Sequence, residues 1–373
     1  MDSRIEFLYL SEQDTIKAGV NNASDCVEVC EEVFKLLAQG DYLMGGTNHN
    51  SHGIGIIFPK ESEFPNMPTA GPDRRFFAMP AYLGGRFDVC GNKWYGSNAA
   101  NSSKGLPRSI LTVLLNDKDT GAPLCLMSAN LLSAARTGAI PAVAVRRLGR
   151  ADSEVCALLG CGPINKSCFR NIMTQAKNIK KVIFYDLFEE KAGEMAEWAK
   201  KEYGVETEVS SDLPLLLGEA DIVTVAASRI KPLFIEKKWL KKGALVLLSG
   251  PVRGDDEFWL ESKIVYDHIG LHEAYVEEAV VSGDRKNYYS GVIGGPIYNL
   301  IDENKLACLK DSVDLGHVIL GTREGRNNDE ENIVFVACGM AVFDVAWGYE
   351  LYRRALEKGI GQKLLLWDAP ALS

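Results

Sequence analysis

The chain has 373 residues, enough for two domains that each bury a core of their own. Its formal net charge of -9 argues against a protein that coats nucleic acid or an anionic membrane, and no apolar run approaches the ~20 residues that span a bilayer. The N-terminus lacks a basic segment followed by a long apolar one, and the nine cysteines include no Cys-x-x-Cys pair. We therefore expect a cytoplasmic protein without a signal peptide, a metal site or a disulfide framework.

The first part of the chain is predicted to contain a strand, a helix and a polar loop. Residues 5–10 alternate as a strand does, and residues 26–38 carry the apolar stripe of a helix. A glycine-rich loop at 45–53 follows, with two of the five histidines in the chain, His49 and His52. Neighbouring histidines in a loop indicate contact with a metal or a substrate, although an ordinary polar loop accounts for them equally well.

The next part is predicted to contain several strands, the last two of them joined as a hairpin. Residues 59–75, rich in proline and charge, are expected to be a long excursion from the sheet. The strands expected after it are 76–82, 89–98, 109–115 and 123–128. The last two are joined by residues 116–121, whose Asp and Gly residues favour a hairpin turn. An alanine-rich helix over 131–148, with Arg136 near its start, ends this part.

From about residue 153 the pattern alternates between strand and helix. The expected strands lie near 154–159, 181–186, 205–210, 221–226, 244–249 and 263–267. Such alternation predicts right-handed crossovers and a parallel sheet with helices on both faces. After a looser segment, a helix is expected over 311–320, a strand over 333–337 and a final helix from 340 to about 357, which could return to the first domain.

A glycine-rich turn lies between the first strand and the first helix of this sheet. The strand ends at Gly160 and Gly162, a helix follows over about 164–176, and the next strand ends in Asp186. Glycines let the backbone approach a pyrophosphate, the helix N-terminus offers free N–H groups, and the acid accepts hydrogen bonds from a ribose. Asn165 stands at the third glycine position. The turn predicts a dinucleotide site; the alternative is an ordinary tight turn between strand and helix.

A series of short motifs carries a family resemblance. In chain order they are Lys93 followed by Asn98 and Gly105-Leu-Pro107, Asp119-Thr-Gly121, Ala135-Arg-Thr-Gly-Ala139, Gly160-x-Gly162 and Gly339-Met-Ala-Val-Phe-Asp344. Together, from about residue 5 to 358, they resemble the ornithine cyclodeaminase/mu-crystallin family. Members of that family bind a nicotinamide cofactor and act at the carbon that bears an amine.

The resemblance implies an α/β fold in two domains. Residues 1–135 with 341–373 would form a discontinuous α+β substrate-binding and dimerisation domain, and residues 136–340 a Rossmann-type parallel-sheet domain that binds NAD. The resemblance also implies a homodimer, since the strands of the first domain would otherwise leave an open edge.

The resemblance assigns roles to individual residues. Arg136 would grip the substrate carboxylate with its guanidinium fork, and Lys93 and Asn98 would face the substrate. Lys93 is the first candidate for the catalytic base, followed by His49 and His52. The expected cofactor-binding residues are Thr137, Gly160, Gly162, Pro163, Ile164, Asn165, Asp186, Ala226, Ser249, Gly250 and Cys338. The Asp186 carboxylate would repel a 2′-phosphate, which favours NAD over NADP.

Two departures from the family pattern bear on the reaction. Pro251 occupies the place where the cyclodeaminases have an aspartate that positions the attacking group, and the nearby Asp255 and Asp256 could be a helix cap. A second family arginine has no clear counterpart; His49 or His52 lies near its place.

We therefore expect an NAD-dependent oxidoreductase that acts on the CH–NH or C=N group of an amino or imino acid: an amino-acid dehydrogenase, an opine-type dehydrogenase or a ketimine reductase. The alternatives are a redox-neutral cyclodeaminase with bound NAD, an amine-oxidising subunit and a non-catalytic NAD-binding protein. Trp94 and Tyr95, next to Lys93, could line an aromatic pocket or belong to the core.

Overall fold

The chain folds into two compact units in this computed structural model, which describes residues 3–227 and 231–372. One unit comprises Met1–Asn22, Gly40–Arg136 and Met340–Ser373, and the other comprises Ala23–Gln39 and Thr137–Gly339. We call them the discontinuous unit and the parallel-sheet unit. The helix at 23–39 is grouped with the parallel-sheet unit, whereas the predicted ranges place it in the first domain. The roles predicted for the two domains remain predictions.

Strands are labelled in chain order. They are β1 Ile5–Leu10, β2 Tyr42–Met44, β3 Ile54–Ile57, β4 Arg75–Leu83, β5 Val89–Ser97, β6 Ser109–Asn116, β7 Pro123–Ser128, β8 Val155–Leu159, β9 Lys181–Tyr185, β10 Glu206–Val209, β11 Ile222–Val225, β12 Leu233–Ile235, β13 Leu245–Leu248, β14 Val252–Gly254, β15 Lys263–Tyr266, β16 Val313–Asp314, β17 Ile333–Val336 and β18 Gln362–Trp367.

Helices are labelled in the same way. They are α1 Glu12–Ala18, α2 Ala23–Gln39, α3 Asn130–Leu148, α4 Pro163–Gln175, α5 Glu189–Tyr203, α6 Leu213–Glu219, α7 Asp256–Leu260, α8 Ile269–Val281, α9 Arg285–Ser290, α10 Gly295–Asp302, α11 Leu315–Ile319 and α12 Ala341–Lys358. No helix in the described part of the chain is both long and apolar enough to cross a bilayer.

The sheet of the discontinuous unit runs in the order β18-β1-β7-β6-β5-β4-β2, and β3 also pairs with β4. Only the β1–β7 pair is parallel among these described pairings. The predicted hairpin joins β6 to β7; Asp117 Oδ1 accepts the Thr120 N–H at 2.8 Å, and Gly121 adopts φ +75°. Helix α12 packs on β4, β5 and β6, so one face of the sheet is covered.

The sheet of the parallel-sheet unit has the order β10-β9-β8-β11-β13-β17-β15-β16, and all seven pairings are parallel. Strands β11, β13 and β17 are buried along their whole length, as expected for a sheet with helices on both faces. The direction in which successive strands are added reverses between β8 and β11. Such a switch point leaves a crevice at the carboxyl ends of the two strands.

Several elements differ from the sequence prediction. The helix expected over 311–320 is only α11, preceded by the short strand β16. The sequence pattern missed β3 and β18, and the segment expected to be loose contains α9 and α10. Residues between β3 and β4 form the predicted excursion, without a helix or strand. The predicted fold class is confirmed: an α/β chain with a Rossmann-type parallel sheet and a discontinuous α+β unit.

Candidate active site

Lys93 lies inside the discontinuous unit. It is in the middle of β5, where alternate side chains turn towards α12, and it is only 4% exposed. Its Nζ lies 3.0 Å from Oδ1 of Asp344 and donates a hydrogen bond to Ser133 Oγ at 2.7 Å. The ammonium group of Lys93 is therefore stabilised by protein partners and not by water.

Asp344 joins Lys93 to Arg136. Oδ2 of this fully buried carboxylate lies 3.0 Å from Nη2 of Arg136, which is on α3 and 5% exposed. Two cations thus share one carboxylate, and the group keeps a net charge of about +1 when all three side chains are ionised. The role of Asp344 is not apparent from the sequence, although the residue ends a family motif and is an acid within the apolar run of α12.

The ammonium group of Lys93 is easier to deprotonate than that of an exposed lysine. Burial and then the charge of Arg136 lower the pKa of Lys93 from 10.5 to about 8, while Asp344 acts in the opposite direction. A side chain with this pKa exchanges a proton readily near neutral pH, which is what a general acid or base needs.

Tyr95 and Trp94 lie on opposite faces of β5. Tyr95 shares the face of Lys93, whose Nζ lies 5.7 Å from the centre of the ring. Trp94 is 41% exposed and stacks on Phe76 at 5.7 Å. It lines a cavity of about 450 Å³ together with Asn98 and other residues. Trp94 is therefore not a core residue, and the aromatic cavity lies on the face away from Lys93.

The other residues predicted to meet the substrate have different surroundings. His49 is an exposed turn residue with φ +59°. His52 is half-buried, and its ring lies edge-on to Phe77 at 6.2 Å, next to the Tyr95 ring in the sheet. Asn98 caps a short 3₁₀ helix through Oδ1, which accepts the Ala100 N–H at 2.9 Å. Of these three, His52 contacts a residue, Phe77, whose ring stacks on Tyr95 on the Lys93 face of the sheet.

The crevice of the parallel-sheet unit is lined by backbone. Gly160 has φ +95°, and a Cβ there would lie 2.9 Å from Cα of Ala227. A Cβ on Gly250 would lie 3.3 Å from Cα of Ala226. The turns after β8, β11 and β13 therefore meet without intervening side chains at the switch point, a shape suited to a dinucleotide.

The N-terminus of α4 opens beside this turn. Gly162 is its cap and supplies no side-chain hydrogen bond, and Pro163 occupies the first helical position. The first N–H groups of a helix lack partners within it and favour an anion. A Cβ on Gly162 would meet nothing within 4 Å, so the space above the helix end is open. Ile164 is exposed at the same end.

Asp186 follows β9 as predicted and is tied to the glycine turn. Its Oδ2 accepts the Cys161 N–H at 2.7 Å, and Oδ1 accepts the Phe188 N–H at 3.0 Å. An ionised carboxylate can accept about four hydrogen bonds, so these two leave capacity for ribose hydroxyls. The arrangement fits NAD, with backbone for the pyrophosphate and a carboxylate for the ribose.

The side chain of Asn165 is directed into the turn, and its predicted place among the cofactor-binding residues stays a prediction. It is fully buried, and Nδ2 donates to the carbonyl oxygens of Leu159, Gly160 and Thr224 at 3.2, 2.7 and 3.3 Å. Its Oδ1 accepts the Thr224 hydroxyl at 2.8 Å. The side chain at the third glycine position therefore fastens the turn to β11.

Cys338, one of the predicted cofactor residues, is held by a network that the sequence did not reveal. Asp267 Oδ2 accepts the N–H groups of Cys338 and Gly339 at 2.7 and 3.1 Å. Its Oδ1 lies 2.9 Å from His272 Nε2, and His272 Nδ1 lies 2.6 Å from the Tyr298 hydroxyl. Burial raises the pKa of Asp267, but His272 and the two N–H groups outweigh it and hold the pKa below its usual value. The signal was an acid at the carboxyl end of a parallel strand.

The remaining predicted cofactor residues are half-buried. Thr137 follows Arg136 within α3, and Ser249 follows β13. Pro251 is exposed. Asp255 caps α7 through Oδ1, which accepts the Phe258 N–H at 2.9 Å, and Asp256 pairs with Lys305. These two acids therefore have local structural contacts, which supports the interpretation of Asp255 as a helix cap.

Comparison with known proteins gives a consistent result. A sequence model described as the ornithine cyclodeaminase/mu-crystallin family matches residues 20–359. The chain is 25% identical over 366 residues to N-((2S)-2-amino-2-carboxyethyl)-L-glutamate dehydrogenase of Staphylococcus aureus, covering 97% of this chain and 99% of that protein.

Two solved structures are similar over nearly the whole chain. Δ1-Pyrroline-2-carboxylate reductase of Thermococcus litoralis, in complex with NADH and L-proline, has a TM-score of 0.78 at 25% identity and covers 95% of this chain and 99% of that one. An archaeal alanine dehydrogenase dimer with bound NAD also has a TM-score of 0.78, at 24% identity, covering 97% and 100%. At that identity the second likeness concerns the fold alone.

Proposed function

Because the chain belongs to the ornithine cyclodeaminase/mu-crystallin family, we propose that it is an NAD(H)-dependent oxidoreductase acting on the CH–NH or C=N group of an amino acid or imino acid. Relatives of this chain are reductases of imino acids and dehydrogenases of amino acids. The observation on which the proposal rests is the buried group of Lys93, Asp344 and Arg136.

Arg136 binds the α-carboxylate of the substrate in this proposal. A guanidinium has five N–H donors in a planar fork, so it can serve Asp344 and a substrate carboxylate together. The net positive charge of the group complements one carboxylate, and its burial strengthens that attraction relative to water.

Lys93 moves the proton. With a pKa of about 8, its ammonium form can protonate an imine nitrogen before hydride arrives, and its neutral form can accept a proton from a substrate ammonium group or from the iminium that remains after hydride has left. Asp344 and Ser133 fix the position of Nζ, so that the proton is delivered from a defined direction. His52 and His49 follow Lys93 as candidates for the base.

The cofactor is NAD(H), held at the crevice of the parallel-sheet unit. Gly160, Gly162 and Gly250 supply backbone for the pyrophosphate, and Asp186 accepts hydrogen bonds from the adenosine ribose. When bound, NAD(H) exchanges the hydride that interconverts amine and imine. A carboxylate at Asp186 repels a 2′-phosphate, which supports NAD over NADP.

The alternative reactions receive less support. A cyclodeaminase lacks its positioning aspartate here, because Pro251 stands in its place and Asp255 caps a helix. An enzyme for simple amines would have no use for Arg136. A purely binding protein would not need a proton carrier, whereas Lys93 is held beside Asp344 and Ser133 in a position to act as one.

We further propose that two copies associate through the discontinuous unit. An aromatic face that includes Phe76, Trp94 and Ile110 is exposed on its sheet, and a protein of similar fold is described as a dimer. Sedimentation of the wild type and of Trp94→Asp tests the association of two copies: a monomeric wild type contradicts it.

A reducing, cytoplasmic location accords with nine cysteines that form no disulfide in the described residues.

The function is tested by absorbance of NADH. Purified protein is mixed with NAD and a panel of amino acids, and separately with NADH, keto acids and amines. Production or consumption of NADH with one of them is the expected result. Ammonia release without a net change in NADH would point to the redox-neutral alternative, and no reaction in either direction would contradict the proposal.

A further inference from the structure

A second arginine lies on the same face of the sheet as Lys93. In the pairing of β4 with β5, Met79 is opposite Lys93, Phe77 is opposite Tyr95 and Arg75 is opposite Ser97. Because alternate residues of a strand share a face, Arg75, Phe77 and Met79 lie on the Lys93 face. Arg75 is four residues from Met79, which corresponds to about 13 Å along the strand.

Two stacked rings connect the two cations. The guanidinium carbon of Arg75 lies 5.3 Å from the centre of the Phe77 ring, and the Phe77 and Tyr95 rings stack at 5.7 Å. Lys93 Nζ lies 5.7 Å from the centre of the Tyr95 ring. The Arg75 guanidinium, the Phe77 ring, the Tyr95 ring and the Lys93 ammonium group therefore form a continuous surface along this face.

Arg75 belongs to a group with its own excess of positive charge. Its Nη2 lies 3.1 Å from Asp73 Oδ1, while Asp73 Oδ2 accepts a hydrogen bond from Arg108 Nε at 2.6 Å. Two arginines share one carboxylate, as Lys93 and Arg136 share Asp344. In addition, Arg75 Nε is buried and has no hydrogen-bond partner among the described residues. A buried donor without a partner is costly, and an anionic ligand would satisfy it.

Both charged groups act on the Tyr95 hydroxyl. Burial raises the pKa of Tyr95; the charges of Arg75 and Arg136 lower it, and those of Asp73 and Asp344 raise it. The hydroxyl is therefore within electrostatic reach of both groups. The strand pairing agrees, because Tyr95 lies on β5 between Lys93 and Ser97, which is opposite Arg75.

We propose that Arg75 forms a second carboxylate subsite, so that the substrate is an amino or imino acid with a second carboxylate several bonds from the first, as in glutamate or an N-(carboxyalkyl)amino acid. The proposal rests on the proposed function for the role of Arg136 at the first carboxylate. Two groups of net charge about +1 match two carboxylates, and the rings between them suit the carbon chain of the substrate.

The test compares pairs of compounds that differ by one carboxylate: L-glutamate with L-glutamine, and N-(1-carboxyethyl)-L-alanine with L-alanine, each with NAD. In a pair of which a compound is turned over, the wild type should have the higher kcat/KM for the dicarboxylate. In Arg75→Gln the ratio of kcat/KM for the dicarboxylate to that for its partner should fall about 10- to 100-fold, mostly through KM. The reason is that a hydrogen bond to a charged group contributes about 1.5–3 kcal/mol. Arg75→Lys keeps the charge and should retain part of the preference.

Arg74→Gln is the matched control. Arg74 is adjacent in sequence, but its guanidinium lies over the Phe58 ring at 5.5 Å and donates to the Thr69 carbonyl at 3.1 Å. This variant should keep the wild-type ratio. Equal ratios in wild type and Arg75→Gln would overturn the subsite while leaving the oxidoreductase function intact.

A binding titration separates failure of the subsite from failure of the function. Glutarate, which has two carboxylates and no amine, is titrated calorimetrically into NADH-loaded wild type and into NADH-loaded Arg75→Gln. Binding at least tenfold weaker in the variant supports the subsite even if no compound is turned over. Equal affinities, or no binding to either protein, overturn it.

Discussion

Lys93 Nζ lies 3.0 Å from Oδ1 of Asp344, and the two side chains are 5% and 0% exposed. The same carboxylate reaches Arg136, so two cations share one anion, and all three side chains are almost fully buried. Such a group is costly to bury, and groups of this kind cluster at functional sites. Its chemistry can be tested through the pH dependence of the rate, through Lys93 and Asp344, and through binding of the cofactor.

The rate should depend on pH through Lys93. Its pKa of about 8 means that the ammonium form dominates below pH 8 and the neutral form above it. Reduction of an imine needs the proton, so kcat/KM should fall as the pH rises through about 8; oxidation of an amine needs the neutral form and should rise over the same range. Profiles measured in both directions check this, and flat profiles between pH 7 and 9 would contradict it.

Removal of the Lys93 amine should stop turnover without affecting the cofactor. We expect Lys93→Met to lower kcat about 10²- to 10⁴-fold, the range usual for a general acid or base. NADH affinity, measured by fluorescence titration, should stay within about twofold because the nucleotide crevice belongs to the other unit. The exposed Lys104 is the control: Lys104→Met should retain wild-type turnover. Full activity in Lys93→Met would exclude Lys93 as the proton carrier.

Loss of the Asp344 charge should shift the pH profile and weaken the fold. Asp344 raises the pKa of Lys93, so in Asp344→Asn that pKa should fall below 8 and the inflection should move to lower pH. Breaking a buried ion pair typically costs about 3–5 kcal/mol of unfolding free energy, which denaturant titration measures.

Glu357→Gln is the control on the same helix. Glu357 pairs with Arg353 at 3.4 Å on the surface, and loss of such a pair should change the unfolding free energy by less than about 1 kcal/mol. An unchanged pH inflection in Asp344→Asn would show that Asp344 does not set the proton affinity of Lys93.

A methyl group at Gly162 should obstruct the cofactor and leave the fold intact. Gly162 has φ -88°, which alanine adopts freely, and its Cβ would meet nothing within 4 Å. We expect Gly162→Ala to change the unfolding free energy by no more than about 1 kcal/mol. The added methyl group lies where the backbone must approach a pyrophosphate. The pyrophosphate would lose its close contact with the turn, so NADH should bind at least tenfold more weakly.

Gly193→Ala provides the comparison, because a Cβ there also meets nothing within 4 Å but lies on α5. Its NADH affinity should equal that of the wild type. If Gly162→Ala bound NADH as tightly as Gly193→Ala does, the glycine turn would not be the pyrophosphate site.

Much of the architecture was predictable because its causes are local. Apolar runs separated by helical segments predicted the parallel sheet from β8 to β17, and the glycines after β8 predicted the turn at the switch point. The strand period also places Lys93 and Trp94 on opposite faces, although the sequence did not reveal which face would be covered. In contrast, β18 was missed, because it pairs with β1 from the far end of the chain.

The sequence by itself determined the fold class, the glycine turn and the identity of Lys93 and Arg136 as candidate site residues, since these depend on neighbours in the chain and on recognisable motifs. Only the tertiary structure brought Asp344 between those two cations, tied Asn165 into the turn and placed Arg75 beside Tyr95. The reason is physical. Helix and strand patterns follow from each residue and its near neighbours, whereas an ion pair, a pKa and a shared face depend on which distant segments pack together and on the water that they exclude.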